Sequence, residues 1–369
     1  MCISIDYFYQ NTQSIRLDQL KPVTIVYDAV VASISNEKER CLSERRTALK
    51  RFKNILVAYD DAVGGNDMIG EAVGLARENS ARLTIVTVLN ENQSSVGIAN
   101  ETDKRLKRLA LSVEHAGIKE VQTKVLLGTA FLEIIRQVIA GQHDLVIARA
   151  EAGSVLKNVF FGSTATHLMR KCPCPVWIMK PGHPIPYRKI LAAVDPQVSA
   201  SEDPFNVKIM DLATSLASHE HATLHIVHAW DVRGSDADTL RSEIRTEQRN
   251  DIIEKHEREH RAALHDLMAR YPMDDIEHQV HLRRELPEQA ITKIVEEEQI
   301  DLIVMGTVAR TGVPGFLIGN AAESVLSSVT CGMLTVKPDG FETPVALPER
   351  GFAENPDSQS GSQGDLRIA

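Results

Sequence analysis

Five cysteines, Cys2, Cys41, Cys172, Cys174 and Cys331, are odd in number and too irregularly spaced for a disulfide framework. No apolar run approaches the ~20 residues that cross a bilayer, so no membrane partner is expected. Positive charge is not in surplus. Lys and Arg number 41 against 50 Asp and Glu, and the net charge of -9 would repel a polyanion, so no nucleic-acid partner is expected either. The opening MCISIDYFYQ lacks a basic flank followed by an apolar core and does not read as a signal peptide. Reduced thiols and a cytoplasmic location are the expectation. Neither a GxSxG elbow nor a GxxxxGK[ST] loop occurs, so nucleophilic catalysis and a P-loop find no support. What is there is an ordinary balance for a globular chain, 43% apolar and 25% charged, over 369 residues, a length that suits about two domains.

The sequence repeats itself. FKNILVAYD at 52–60 returns as YRKILAAVD at 187–195, so that Ile55, Leu56, Ala58 and Asp60 recur as Ile190, Leu191, Ala193 and Asp195. ARLTIVTV at 81–88 returns as ATLHIVHA at 222–229. From Val121 to Pro181 the offset is a constant 157: DLVIA at 144–148 pairs with DLIVM at 301–305, Gly162 with Gly319, and Lys180-Pro181 with Lys337-Pro338. Constant offsets within elements, with jumps only between them, are the mark of a duplication followed by loop change.

Each copy alternates short Val/Ile/Leu runs with amphipathic stretches. In the first copy strands are expected near 54–59, 82–88, 121–126, 144–148 and 175–179. Between them lie helical segments such as 129–141, with Phe131, Ile134, Ile135 and Val138 on one face, and its counterpart 287–298, where Pro287 suits a first turn. The pattern predicts an α/β chain of two tandem, doubly wound, parallel five-stranded sheets. Domains are drawn at 52–181 and 187–340, joined by the proline-rich KPGHPIPYRK at 180–189. Residues 1–51 have no counterpart; the basic run at 37–53 reads as a solvated helix or arm, with anion binding as the lesser alternative. The polar, Pro- and Gly-rich 341–369 reads as a disordered tail.

Ligands of open parallel sheets bind beyond the carboxyl ends of the strands, where strand order reverses. After the first strand of each copy stands an aspartate, Asp60 or Asp195, suited to a ribose hydroxyl or to Mg²⁺ beside a phosphate, or simply to capping a turn. After the fourth strand of the second copy comes GTVARTGVPGFLIGNAAESVL, 306–326. Glycines there let backbone N–H groups approach a phosphate, and a helix N-terminus follows. The positions at issue are Gly306, Thr307 beside it, Ala309, Gly319 and Asn320. In the first copy the same offset gives Arg149, Ala152, Gly162 and Ser163, so only the final Gly-Ser survives and the site is degenerate.

This spacing resembles that of nucleotide-binding universal stress proteins: glycine, two residues, glycine, nine residues, then glycine with serine or threonine. Here Ala309 replaces the middle glycine and Asn320 the hydroxyl residue. FGSTATHLMRKCPCPVWIMKP at 161–181 is similar to the end of the first domain in tandem universal stress proteins of bacteria, the group that includes the E-type paralogue. The resemblance implies the fold shared with adenine nucleotide α-hydrolases, a non-catalytic stress-response role, and ATP with Mg²⁺ as the ligand of those members that bind one. By family position Ala229, at the end of the second strand, lies near the base. The family pairs such domains through their last strands, which implies intramolecular pairing here, with a homodimer or regulatory protein partners as further expectations. The alternative is a scaffold that binds no nucleotide. Weak ATP hydrolysis, a third reading, has no candidate general base.

Three patterns are decoys. His256-Glu257-Arg258-Glu259-His260 matches the zinc-protease HExxH, but it lies in a long charged helix away from the strand ends, where a solvated helix is the better reading. Cys172 and Cys174 lack two further ligands and read as small hydrophobes entering a strand. His219, His221, His225 and His228 cluster around one strand, yet alternation puts His225 and His228 on opposite sides, so packing is expected rather than a metal site.

Overall fold

A computed structural model describes residues 52–60, 66–93, 95–150, 161–180, 185–198, 203–232, 235–242, 244–307 and 319–347. The first half runs β1 (Asn54–Ala58), α1 (Asn66–Asn79), β2 (Arg82–Leu89), α2 (Val96–His115), β3 (Val121–Leu127), α3 (Ala130–Gly141), β4 (Leu145–Arg149), α4 (Ser163–Lys171) and β5 (Val176–Met179). The second half runs β6 (Lys189–Ala193), α5 (Pro204–Glu220), β7 (Thr223–Ala229), α6 (Ser235–Arg241), α7 (Thr246–Met268), β8 (His278–Arg283), α8 (Pro287–Glu298), β9 (Leu302–Gly306), α9 (Asn320–Ser328) and β10 (Gly332–Val336). The short α6 lies within the expansion that separates the second and third strands of the later copy.

The strands form one ten-stranded sheet in the order β3-β2-β1-β4-β5-β10-β9-β6-β7-β8. Pairing is parallel within each half. The halves join where β5 and β10 run antiparallel, with Leu334 opposite Trp177. Alternation along the strands supplies two apolar faces. Ile55, Val57, Ile190 and Ala192 face α1, α2, α5 and α7, whereas Leu56, Leu191 and Ile303 face α3, α4, α8 and α9. Each fully buried aliphatic side chain of this kind contributes about 1.5–3 kcal/mol. Edge strand β3 alternates between exposed and half-buried positions, because one of its sides meets water.

Local chemistry repeats with the sequence. Asp144 accepts hydrogen bonds from the backbone N–H groups of Lys53 and Asn54, and Asp301 accepts the matching pair from Arg188 and Lys189. The aspartate of each DL motif therefore ties the start of one strand to its neighbour. Left-handed backbone also recurs: Ser80 and His221 have φ of 50° and 53°, and Gln142 and Gln299 have 52° and 55°. These residues turn the chain out of a helix into the next strand. Helix α5 begins on Asp203, whose carboxylate accepts from Asn206 N at 3.2 Å, with Pro204 in the first turn.

Contacts across the seam are polar as well as apolar. On one face Trp177 and Tyr187 pack with ring centroids 5.9 Å apart, His219 Nδ1 lies 2.8 Å from Glu78, and the Glu71 and Glu220 carboxyls share a hydrogen bond. On the other, Arg170 pairs with Glu323. Buried Lys337 donates to Met169 O at 2.7 Å and also bonds the Thr307 hydroxyl. Burial lowers its pKa to about 8. The end of the second repeat, drawn at 340 from composition, is not where packing stops: Val345 is buried in the core that contains α3, and Arg136 Nε donates to Ala346 O. A single aliphatic residue in a polar stretch is enough to hold that segment. Among the described residues no helix is long and apolar enough to cross a membrane. The basic run at 37–51 lies outside the described residues.

Candidate functional site

The carboxyl ends of β6 and β9, the strands flanking the reversal of order in the second half, bring Asp195, Gly306 and Thr307 to one region, with Ala229 ending the adjacent β7. Asp195 is exposed, its side chain 56% accessible. Its backbone N–H donates to Asn206 Oδ1 at 2.9 Å, which fixes the turn before α5. Behind it, buried His228 places Nδ1 3.3 Å from Val194 O and 3.8 Å from the Asp195 carboxylate. Ala229 lines a cleft of about 430 Å³ with Trp230, Glu285, Leu286 and Pro287.

Gly306 has no side chain, and Phe205, in the first turn of α5, uses the space: a Cβ on Gly306 would collide with its ring. Thr307 turns inward. It is fully buried, and its hydroxyl donates to Met169 O at 3.3 Å and receives Lys337. The Thr307 carbonyl accepts from Gly319 N at 3.0 Å and so holds the start of α9 beside the end of β9. The Thr307 N–H in turn donates to Val336 O at 3.3 Å, so this residue's polar groups are all committed within the protein. Gly319 is extended, at φ -63° and ψ 142°, directly before the first helical residue, Asn320. Ala309 lies outside the described residues.

The first half treats the equivalent region differently. Arg149 stands at the end of β4, where β9 has Gly306, and both of its terminal nitrogens bond the Asp67 carboxylate at 2.7 Å. Asp67 belongs to the first turn of α1. Burial works against the Asp67 charge, yet the Arg149 bonds outweigh it and hold the carboxyl below its ordinary range. A carboxylate of the protein itself therefore takes the arginine fork and the helix N-terminus that an anion would otherwise favour. Asp60 is exposed at the end of β1. Gly162 precedes α4 with φ 80°, a conformation that suits glycine, and exposed Ser163 opens the helix.

The HExxH residues do not converge. His256 Nε2 binds Asp236 at 2.9 Å, while His260 Nδ1 binds His228 Nε2 at 2.9 Å and its ring packs on Trp230. Glu257 pairs with Arg261. The helix is solvated along Glu257, as the sequence suggested, but its two histidines are tied to α6 and to β7. Cys172 and Cys174 are buried with sulfurs 3.6 Å apart. Three-ligand groupings among the described residues occur elsewhere: His225 with His281 and Glu298, and Glu71 with His219 and Glu220. Sequence reading named His219 and His225 but expected packing, because their partners, Glu71 in the one case and His281 with Glu298 in the other, come from distant elements. A further signal was histidine in β7 and β8 where the first half has Thr84 and Lys124.

Comparison with known proteins agrees with this architecture. The universal stress protein family matches residues 51–180 and 186–337. Universal stress protein E of Escherichia coli K12 is 36% identical over 317 residues, 80% of this chain and 97% of that protein. The protein of the same name from Salmonella typhi is 31% identical, over 80% of this chain and 98% of its own. A putative universal stress protein of Pseudomonas aeruginosa UCBPP-PA14 superposes with a TM-score of 0.62 at 26% identity, covering 79% of this chain and 95% of its own. With both halves matched in sequence and the duplicated sheet matched in structure, the chain belongs to the universal stress protein family.

Proposed function

We propose that this chain is a cytoplasmic, non-catalytic stress-response regulator whose second half binds an adenine nucleotide. The observation that carries this reading is the contrast between the ends of β9 and β4. One ends on bare Gly306, next to the start of α9; the other is closed by the Arg149–Asp67 pair. Backbone N–H groups at a helix start favour a phosphate. The residues present fit ATP with Mg²⁺ in three respects: an exposed carboxylate at Asp195 for the metal or a ribose hydroxyl, a side-chain-free strand end at Gly306, and a roomy cleft beside Ala229 for a base. Asn320, the first helical residue, would present a phosphate-facing backbone N–H, while that of Gly319 is held by Thr307 O, and Phe205 would set how closely the ligand approaches Gly306.

A second reading is a scaffold that binds no nucleotide and acts through protein partners. The packing of Phe205 against Gly306 and the inward commitment of the Thr307 hydroxyl favour it. Calorimetric titration of the full chain with ATP and Mg²⁺, alongside Asp195→Ala, separates the two. Binding that weakens at least tenfold in the variant supports the nucleotide site. No heat at millimolar ATP leaves the scaffold, and unchanged binding by the variant moves the ligand away from β6.

A further inference from the structure

The second half packs two imidazoles against each other on the side of the sheet covered by α8. His225 sits in β7 and is fully buried; His281 sits in β8, opposite Val227 in the register. His225 Nδ1 and His281 Nε2 are 3.0 Å apart, with the ring planes within 9° and the centroids 5.3 Å apart, so the two ring edges face each other. Glu298, the last residue of α8, completes the group: one ligand atom of each residue lies within 4.8 Å of the other two.

The grouping is set apart from ordinary packing by a comparison within the chain. The repeat provides it. The corresponding positions of the first half are Thr84, Lys124 and Gly141, so all three donors are specific to the second half.

We infer that His225, His281 and Glu298 form a binding site for a divalent transition-metal ion of the zinc type. Two imidazoles and one carboxylate are a usual donor set for Zn²⁺ and leave a fourth position open. Tetrahedral coordination at ordinary Zn–N lengths sets two imidazole nitrogens about 3.3–3.4 Å apart, so the rings would part slightly and also turn, exchanging their mutual hydrogen bond for lone pairs aimed at one ion. Lys189, whose Nζ donates to the Glu298 carbonyl at 2.7 Å and lies 3.8 Å from Oε2, anchors the end of α8. Arg283 is drawn aside by Glu297 at 3.6 Å, and Glu277 adds negative charge nearby. The ion would fasten edge strand β8 and the end of α8 to β7. It lies toward the amino ends of the strands, away from Asp195 and Gly306, and is independent of nucleotide binding.

The test is equilibrium dialysis of the purified full chain, stripped with chelator, against micromolar Zn²⁺, with bound metal read by mass spectrometry and Tm by calorimetry. The wild-type chain should retain zinc and melt higher in its presence. His225→Gln and His281→Gln should each retain one equivalent less and lose the Tm gain, and Glu298→Gln should bind at least about tenfold more weakly. His281 and Glu298 are only half-buried, so these two variants decide the matter even where His225→Gln fails to fold. His219→Gln, in the other three-ligand grouping, should behave as wild type. The inference is overturned if the wild-type chain retains no zinc, if His281→Gln and Glu298→Gln retain as much as wild type, or if the loss follows His219→Gln instead.

Discussion

Arg149 grips Asp67 by both terminal nitrogens, each 2.7 Å from a carboxylate oxygen, across the gap between the end of β4 and the start of α1. The arginine side chain is 13% exposed and the aspartate 44%, so the pair is half in water and its worth is modest.

Arg149→Ala should lower stability by about 1 kcal/mol near neutral pH, a Tm loss of roughly 2–4 °C. The folded-state pKa of Asp67 is depressed, so the stabilisation is present above the ordinary carboxylate value of about 3.9 and is lost as pH falls through the lower folded value. Melting curves of the two proteins should therefore converge in acid. A gap that persists unchanged at low pH would show that packing, not charge, carries the effect.

Glu71 has the opposite sign. Burial, then the neighbouring Glu220 charge, raise its pKa to about 8. A raised acid favours the fold while protonated. Its contribution is full below the unfolded value of about 4.3 and drains away as pH rises to about 8. Glu71→Gln keeps a donor toward Glu220 without the charge. Tm measured at pH 5 and pH 8 should fall more steeply in the wild-type chain, and at pH 8 the variant should melt roughly 2–4 °C higher. Parallel profiles would refute the shared proton.

Gly306 and Phe205 should be coupled. Gly306→Ala forces the phenyl ring aside, a strain of about 1–3 kcal/mol. Phe205→Leu makes room for the methyl, so the double variant should cost less than the sum of the single ones. Additive losses in chemical denaturation would mean that the ring yields without strain.

Much of the fold was legible. Buried parallel strands are continuous aliphatic runs, and every first-half strand expected from them lies within a residue of β1 to β5. The DL motifs stood out as repeats, but their work, capping the start of the neighbouring strand, involves backbone 90 residues away. The site was legible only as positions. Arg149 was seen to break the first-half loop, yet its partner Asp67 is 82 residues distant and carries no motif. Strand alternation correctly separated His225 from His228. It offered no route to His281, which is paired through the sheet, and the histidines were grouped by nearness in the chain instead. Val345 was invisible because one aliphatic residue does not change the composition of a polar tail.

The antiparallel seam between β5 and β10 reverses the direction of one half against the other. The carboxyl ends of β1 and β4 therefore look out on one long side of the plate, and those of β6 and β9 on the opposite side. A ligand held at Gly306 and a molecule docked over Arg149 would never meet, and no single compact ligand could span both. The seam also consumes the last strand of each half, so the free sheet edges belong to β3 and β8. Within the sheet, the outlet of one half is shut by its own ion pair, and that of the other faces away from it behind the ring of Phe205.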